Sequence, residues 1–363
     1  MKPEARVARV AHVLPVYSAA GVNLLGGAER YVVNLTRHLA RECDLTLFTF
    51  GPRHLEEDLD GVRHVVIPSL GGAIDNPLPR SFFLKLRRFD IVHAHQLRTA
   101  VTSALVVACR AMRVPLVATD LGGGGRSLMY RLGLYRWVKR FLMISRFSLS
   151  LLPTSAQPRA TAILGGVDAD TYAFSDAPRV PRAVLVGRIL PHKGINYLVE
   201  AAGADVPVVI AGRVGDRDYY DRLCRAIEGT QVRFELDPSD DVVRDLYKTS
   251  AVTVSASVYR DINGAEWPNS ELLGLTLLES MAVGTPVVCT NVGGMPEYVQ
   301  DGTTGFIVPP NDITAIRGAI KRLLDDPPLA RRMGSAGHDH VQQYSWRQVA
   351  ARFTDEYSRL LDV

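Results

Sequence analysis

Four cysteines stand far apart in this chain of 363 residues, at Cys43, Cys109, Cys224 and Cys289, and no two form a C-x-x-C pair. That spacing excludes a zinc ribbon and a thioredoxin-type redox site, and it fits a reducing compartment. Long apolar runs are lacking as well. Even the stretch 104–118 is broken by Arg110 and Arg113, so no membrane-crossing helix is expected. The amino terminus carries Lys2, Glu4, Arg6 and Arg9 ahead of a strand-like run, without the apolar core of a signal peptide. The expected location is therefore the cytoplasm. No G-x-G-x-x-G follows the first strand, which counts against a dinucleotide dehydrogenase, and no G-x4-G-K-[ST] loop occurs. The net charge of +4 is too mild to argue for a nucleic-acid partner.

What is present is ordinary for a soluble globular protein: 47% hydrophobic and 22% charged residues. The length suits two domains. Short β-branched runs alternate with amphipathic segments from end to end. Strands are expected at 7–14, 45–50, 62–67, 91–94, 115–119 and 142–144, then at 183–186, 207–211, 232–234, 252–255, 286–289 and 306–308. Many are near-continuous apolar runs, as in strands buried on both faces of a parallel sheet. Helical patterns fill the gaps, for example 29–40 and 196–202. Such alternation predicts an α/β protein of doubly wound sheets. The pattern fades between Asp168 and Pro181, where Asp, Ala, Pro and Ser dominate, which reads as a linker. The expected domains are 1–170 and 171–345, followed by a helical tail over 346–363.

The chemistry-bearing residues repeatedly follow strands. Gly26-Gly27 comes after the first, His95 ends the fourth, Asp120 and the run Gly122–Gly125 end the fifth, and Gly187-Arg188 ends the seventh. Glu271 follows the tenth across a long loop. Ligands of open α/β sheets bind beyond the carboxyl ends of strands, so these placements predict one cleft site built from both domains.

Arg188 and Lys193 bracket a strand-to-helix turn and offer a planar fork and a compact charge to phosphate oxygens. The plain alternative is a solvated surface pair. A helix starting at Leu275-Thr276 after Gly274 would present free N–H groups to an anion, so a diphosphate is placed there. Glu279, one turn in, suits the two hydroxyls of a ribose, and Glu271, in the loop before Gly274, suits the reacting sugar. Two carboxylates eight apart are commonly just solvent-facing acids. The flanking Gly274, Gly284-x-Pro286 and Gly293-Gly294 favour the functional reading here. His93 and His95 share a strand face, and His95, at the strand end, is the expected ligand contact. No metal is called for.

Between Leu121 and Val167 there is no acidic residue, while Arg126, Arg131, Arg136, Lys139, Arg140, Arg146 and Arg159 are interleaved with Tyr130, Tyr135, Trp137 and Phe141. This resembles a basic aromatic helix resting on an anionic bilayer. The plain alternative packs the aromatics and leaves the Arg heads wet.

These motifs together resemble the retaining glycosyltransferases of family four, with the GT-B fold. The resemblance runs from Gly26-Gly27-Ala-Glu29-Arg through Asp90-Ile-Val-His-Ala-His95, Gly166-Val-Asp168 and Gly187-Arg188…Lys193-Gly194. It continues over Glu271…Glu279 and Gly293-Gly294 to Asp301-Gly-x-x-Gly305-Phe. It implies two Rossmann-like domains facing across a cleft, with a carboxy-terminal helix returning to the first. It implies a nucleotide-diphosphate sugar as donor and a glycan, lipid-linked or small-molecule acceptor. Arg188 and Lys193 would bind the diphosphate, Glu279 the ribose and Glu271 the donor sugar, with His95 near the transferred sugar. Gly274, Leu275, Thr276, Gly187 and Gly27 would line the nucleotide, and Asp120, Gly26 and Arg126 the acceptor side. No cofactor would be needed, and contact with an anionic membrane would be peripheral. Two departures stand out: Glu271-Leu-Leu-Gly274 replaces the family's usual E-G-F-G, and Leu121 stands where relatives often have His. The longer loop 259–270 offers Arg260, Asp261, Asn263, Glu266 and Asn269 for sugar selection. A sugar-nucleotide epimerase of the same fold, or a non-catalytic nucleotide-sugar binding protein, would carry much of the same pattern.

Overall fold

The computed structural model describes residues 7–17, 26–73, 76–79, 82–122 and 128–361. The chain divides into two compact units, residues 1–166 with 346–363, and residues 167–345. The junction falls at Gly166 and Val167, just ahead of the stretch that composition marks as a linker.

The strands of the first unit are β1 (Arg9–Tyr17), β2 (Asp44–Gly51), β3 (Leu55–Leu59), β4 (Val62–Ala73), β5 (Asn76–Pro79), β6 (Ile91–His95), β7 (Leu116–Thr119), β8 (Arg140–Met143) and β9 (Ala160–Ala162). They form one sheet in the order β3-β4-β2-β1-β6-β7-β8-β9, with β5 beside β4. β3 and β5 run antiparallel to β4, and the remaining pairs are parallel. The central strands are buried almost throughout, which is why they read as continuous apolar runs. β3 instead alternates half-buried and exposed positions and carries Glu56, Glu57 and Asp58, the charged composition of a sheet edge. Phe48, Phe50, Phe82 and Phe89 meet at centroid distances of 5.6–5.9 Å in the core beneath the sheet.

The carboxy-terminal helix Trp346–Leu361 belongs to this unit. It buries Trp346, Val349, Ala350, Phe353 and Tyr357, one apolar stripe at helical spacing. Trp346 lies edge-on to Tyr31, 4.9 Å between centroids. A Cβ at Gly166 would come within 2.7 Å of the Trp346 ring, so glycine leaves room for the indole. The Arg140 guanidinium donates to the Glu356 carboxylate, Nε to Oε2 at 2.7 Å.

The basic stretch is not one amphipathic helix, contrary to expectation. It is a four-residue helix (Leu128–Arg131), a left-handed turn at Gly133 (φ 65°), a 3-10 turn (Leu134–Trp137) and then β8. Gly133 ends the helical run, and Phe141, Leu142 and Met143 enter the buried sheet. Arg140 and Arg159 are spent internally, the latter donating to the carbonyls of Arg136 and Val138. Among the described residues no helix is long and apolar enough to cross a membrane.

The second unit contains β10 (Val180–Val186), β11 (Val208–Gly212), β12 (Val232–Leu236), β13 (Ser250–Ser255), β14 (Val287–Thr290) and β15 (Gly305–Val308). All pairs are parallel, in the order β12-β11-β10-β13-β14-β15. Counted within the unit this is 3-2-1-4-5-6, the doubly wound Rossmann order. Four helices of this unit open on side-chain caps, while Ile195–Ala202 opens uncapped at Gly194: the N–H groups of Tyr219, Val242, Ala315 and Leu329 donate to Asp216, Ser239, Asp312 and Asp326. Each such cap stabilises by about 1 kcal/mol. At the ends of β10 and β11 the backbones nearly touch, since a Cβ at Gly212 would stand 1.9 Å from the Gly187 carbonyl oxygen.

Candidate active site

Each sheet reverses its winding once among its central parallel strands, between β10 and β13 in the second unit and between β1 and β6 in the first. A ligand crevice opens beyond the strand ends at such a point. The sequence-predicted residues cluster at these two places.

In the second unit Gly187 and Arg188 follow β10, and Ser257 follows β13. Lys193 sits in a 3-10 turn, Pro191–Lys193, closed by the left-handed Gly194 (φ 62°). A Cβ on Gly194 would lie 2.0 Å from the Ala256 carbonyl oxygen, so the Lys193 turn packs directly on the segment after β13. Lys193 and Glu271 are joined to each other: Nζ donates to Oε1, which also accepts the Ser257 hydroxyl at 2.7 Å. Burial pushes the Glu271 pKa up, but the Lys193 charge, the hydrogen bonds from Lys193 and Ser257, and nearby His192 pull it net below its ordinary value. Arg188 is exposed and makes no ion pair or hydrogen bond among the described residues.

Glu271 is held through its backbone. Its carbonyl accepts the Gly294 N–H at 2.9 Å, and the Gly293 N–H donates to the Tyr259 hydroxyl at 2.8 Å. The helix Leu275–Ala282 then opens at Gly274 (φ 100°) with no side-chain cap, unlike the capped helices above. Thr276 lies in its first turn. Glu279, one turn in and half-buried, accepts the hydroxyl of fully buried Tyr247 at 3.0 Å. Leu272 and Leu273, the departure from E-G-F-G, are both buried and thus serve packing.

The loop 259–270 is built rather than loose. Arg260 and Glu266 form a β-bridge. Asp261, only 5% exposed, accepts the Asn263 and Ala265 N–H groups and the Trp267 indole N–H at 2.7 Å. Trp267 lies against His192, 4.6 Å between centroids. Burial, then neighbouring Lys193, lowers the His192 pKa to about 4. Asn263 accepts from Arg222 at 2.9 Å, at the rim of a cavity of about 530 Å³ lined also by Asp216, Asp218, Asp221 and Arg225. Of the predicted residues this cavity contains only Asn263, offered for sugar selection, and its three aspartates stand beside Arg222 and Arg225.

In the first unit His95 ends β6, fully buried, with Nε2 against His12 Nδ1 at 2.9 Å. Gln96 follows at φ 69°, an uncommon conformation for a non-glycine residue. Asp120, 7% exposed, directly follows β7. Burial raises its pKa, partly opposed by Arg98 and by the Gly122 N–H. Gly26 caps the helix Gly27–Leu39, and the Glu29 carboxylate already lies there, 2.8 Å from where a Gly26 Cβ would stand. Arg126 and Gly123 to Gly125 lie outside the described residues.

Sequence reasoning missed His12, Tyr357, Ser257, Tyr247 and the His192–Trp267 pair, and it offered Asp261 to a sugar where the structure has it accepting from Asn263, Ala265 and Trp267. Only His12 left a local signal, a polar residue amid the apolar run of β1.

Residues 25–171 match the family model described as Glycosyltransferase Family 4, and residues 176–340 match that described as Glycosyl transferases group 1. The chain is similar to the phosphatidyl-myo-inositol mannosyltransferase of Mycobacterium leprae, 29% identical over 74% of this chain and 73% of that one. It is 34% identical to the alpha-maltose-1-phosphate synthase of Mycobacterium tuberculosis over 50% of this chain and 49% of that one. Against this synthase, the match thus spans about half of the relative's length. In fold it is similar to HepE of Anabaena, crystallised with UDP and glucose, at TM-score 0.74 and 17% identity over 97% of this chain and 100% of that one. Sucrose-phosphate synthase of Thermosynechococcus elongatus gives TM-score 0.72 and 21% identity over 98% and 99%.

Proposed function

Since this chain belongs to the family-four glycosyltransferases and has their GT-B fold, we propose that it moves a sugar from a nucleotide diphosphate to an acceptor hydroxyl, with retention at the anomeric carbon. The observation that carries this is the group gathered beyond β10 and β13. It comprises the Arg188 guanidinium, unpaired among the described residues, a lysine shared with a largely buried carboxylate, an uncapped helix end, and Glu279 one turn further along. The HepE structures, which hold UDP and UDP-glucose, support a nucleotide sugar as the ligand and make uridine nucleotides the first probes.

Arg188 and the Leu275-Thr276 amides take the diphosphate, and Gly187 lets the backbone approach it. Glu279, oriented by Tyr247, takes the ribose hydroxyls. Glu271 faces the donor sugar and steadies positive charge at its anomeric carbon, while Lys193 bridges Glu271 and the phosphate. The bond from the anomeric carbon to the phosphate oxygen breaks first. The departing phosphate accepts the acceptor's proton, and the new carbon–oxygen bond forms on the same face. Fixed cations and a helix end stabilise the leaving group without reorganising, so turnover is expected without added metal. The first unit supplies the acceptor side, with His95, Asp120, Gly26, Gly27 and, by its motif, Arg126.

The acceptor is a hydroxyl-bearing glycan, lipid-linked sugar or small molecule. Exposed Leu128, Leu132 and Trp137, beside exposed Arg131, Arg136 and Lys139, support peripheral contact with an anionic bilayer. Failure to sediment with anionic vesicles at low salt would remove that contact.

Thermal stabilisation by a panel of nucleotides tests the donor site, with and without magnesium, on wild type and Glu279→Ala. A ligand at 100 times its Kd adds about 2.7 kcal/mol. One nucleotide diphosphate that stabilises wild type alone is the expected result. No shift from any nucleotide would sink the reading.

A further inference from the structure

Five side chains from separate parts of the first unit form a single hydrogen-bonded chain. The Thr119 hydroxyl donates to the Leu142 carbonyl at 2.6 Å. His93 Nε2 lies 2.8 Å from the same Thr119 oxygen. His93 Nδ1 lies 2.6 Å from the Tyr357 hydroxyl, and that hydroxyl lies 3.1 Å from His12 Nε2. His12 Nδ1 lies 2.9 Å from His95 Nε2. All three imidazoles are wholly buried.

One proton fixes the direction of the whole chain. Thr119 has a single hydroxyl proton, committed to Leu142, so its oxygen must accept and His93 must carry hydrogen on Nε2. A neutral His93 then has a bare Nδ1, so Tyr357 donates to it. The Tyr357 oxygen consequently accepts from His12 Nε2–H. His12 Nδ1 is bare and accepts from His95 Nε2–H. The chain ends at His95 Nδ1, bare, buried and without a partner among the described residues. Burial keeps all three rings neutral: it lowers the His95 pKa to about 3 and those of His12 and His93 well below their ordinary value. The reversed chain would strip Leu142 of its donor and leave a buried N–H at His95 unpaired. Orphaned buried donors are rarer than orphaned acceptors.

We propose that Thr119, His93, Tyr357 and His12 are positioning residues that set the tautomer of His95, presenting its Nδ1 as a hydrogen-bond acceptor for a ligand hydroxyl. The neighbouring Gln96 Oε1 is likewise buried without a partner among the described residues, so the end of β6 offers two acceptors and suits hydroxyls over phosphates or carboxylates. The ligand being a sugar hydroxyl rests on the transferase reading; the tautomer does not. The three imidazoles also lie close enough together to suggest a metal centre, their nearest nitrogens within 4.8 Å of one another. Five of the six ring nitrogens are already engaged in the chain, which argues against it.

The test is long-range proton–nitrogen correlation spectroscopy of the full chain labelled with ¹⁵N-histidine, without ligand. The method separates protonated from bare ring nitrogens. In wild type, His95 is expected to carry its proton on Nε2. Thr119→Val, which keeps the shape and removes the hydroxyl, should give a mixture of both tautomers, and Thr119→Ser should restore one. Should Thr119→Val not fold, Tyr357→Phe cuts the chain at its middle and should release His12 and His95 while His93 stays fixed. A proton on His95 Nδ1 in wild type would overturn the proposal. So would a His95 tautomer indifferent to these variants, or cobalt(II) uptake with ligand-field absorption lost in His12→Ala. A negative nucleotide screen would leave all these results standing.

Discussion

The carbonyl oxygen of Glu271 occupies the space a side chain at Gly293 would need, 1.8 Å from an ideal Cβ. Gly293 also has φ 61°, the left-handed region that costs other residues about 1–2 kcal/mol. Gly293→Ala should therefore displace the Glu271 loop. The expected loss exceeds about 3 kcal/mol once the clash is added, read by urea denaturation, together with loss of turnover. Wild-type stability in this variant would mean that the loop is free to move.

Lys193→Met removes the principal opponent of burial at Glu271. In wild type the Glu271 pKa is depressed, so its stabilising contribution is present above the unfolded value of about 4.3 and is lost as pH falls through the folded pKa. In the variant, burial dominates and the folded pKa rises. Stability should then be greater near pH 5 than near pH 8, whereas wild type should show no such fall. Melting curves across that range decide it, and parallel curves would refute the coupling.

Arg188→Ala separates chemistry from folding. Arg188 is exposed and unpaired among the described residues, so the melting temperature should not move. Turnover should fall by about 10²–10³, as on removing a donor to a developing oxyanion. Unchanged kcat would count directly against Arg188 as a phosphate clamp.

Tyr247→Phe tests whether Glu279 must be oriented to hold a ribose. The variant deletes the hydroxyl that Glu279 accepts. Nucleotide affinity should weaken about fivefold, the effect of one hydrogen bond of ~1 kcal/mol, with a larger loss in Glu279→Ala. Isothermal titration with the nucleotide found in the thermal screen measures both. Equal affinity in all three proteins would move the ribose elsewhere.

Glu356→Gln weakens the docking of the last helix. Glu356 is 5% exposed and Arg140 28% by side chain, so the pair is only partly dry and the expected loss is about 1–3 kcal/mol. Hydrogen exchange should rise in Trp346–Leu361 and β8 and stay unchanged in the second unit.

Strands buried on both faces were legible because burial on two sides forces an unbroken apolar run. The edge elements were not. Leu55–Leu59 reads as a charged loop, and Asn76–Pro79 contains two prolines. The basic stretch misled because helical and strand signals overlap there, and only Gly133 marks the change. In the site, Glu271, Glu279, Arg188 and Gly274 could be found because short motifs surround them. The Lys193–Glu271 bond spans 78 positions and the Tyr357–His12 contact 345. Neither leaves a local pattern, since each exists only once the sheets and the last helix are in place.

The return of the helix Trp346–Leu361 to the first unit has a consequence for the order of events during synthesis. Residues 167–345 are contiguous and can complete their core as soon as they emerge. The first unit has its strands early, but must wait for residues 346–361, made after the whole of the second unit, before Tyr31 meets Trp346 and Tyr357 meets the histidines. Domains usually finish in the order of their emergence. Here the unit that emerges ahead of the other is completed after it, and a chain released at Ser345 should hold a finished second unit and an open first one.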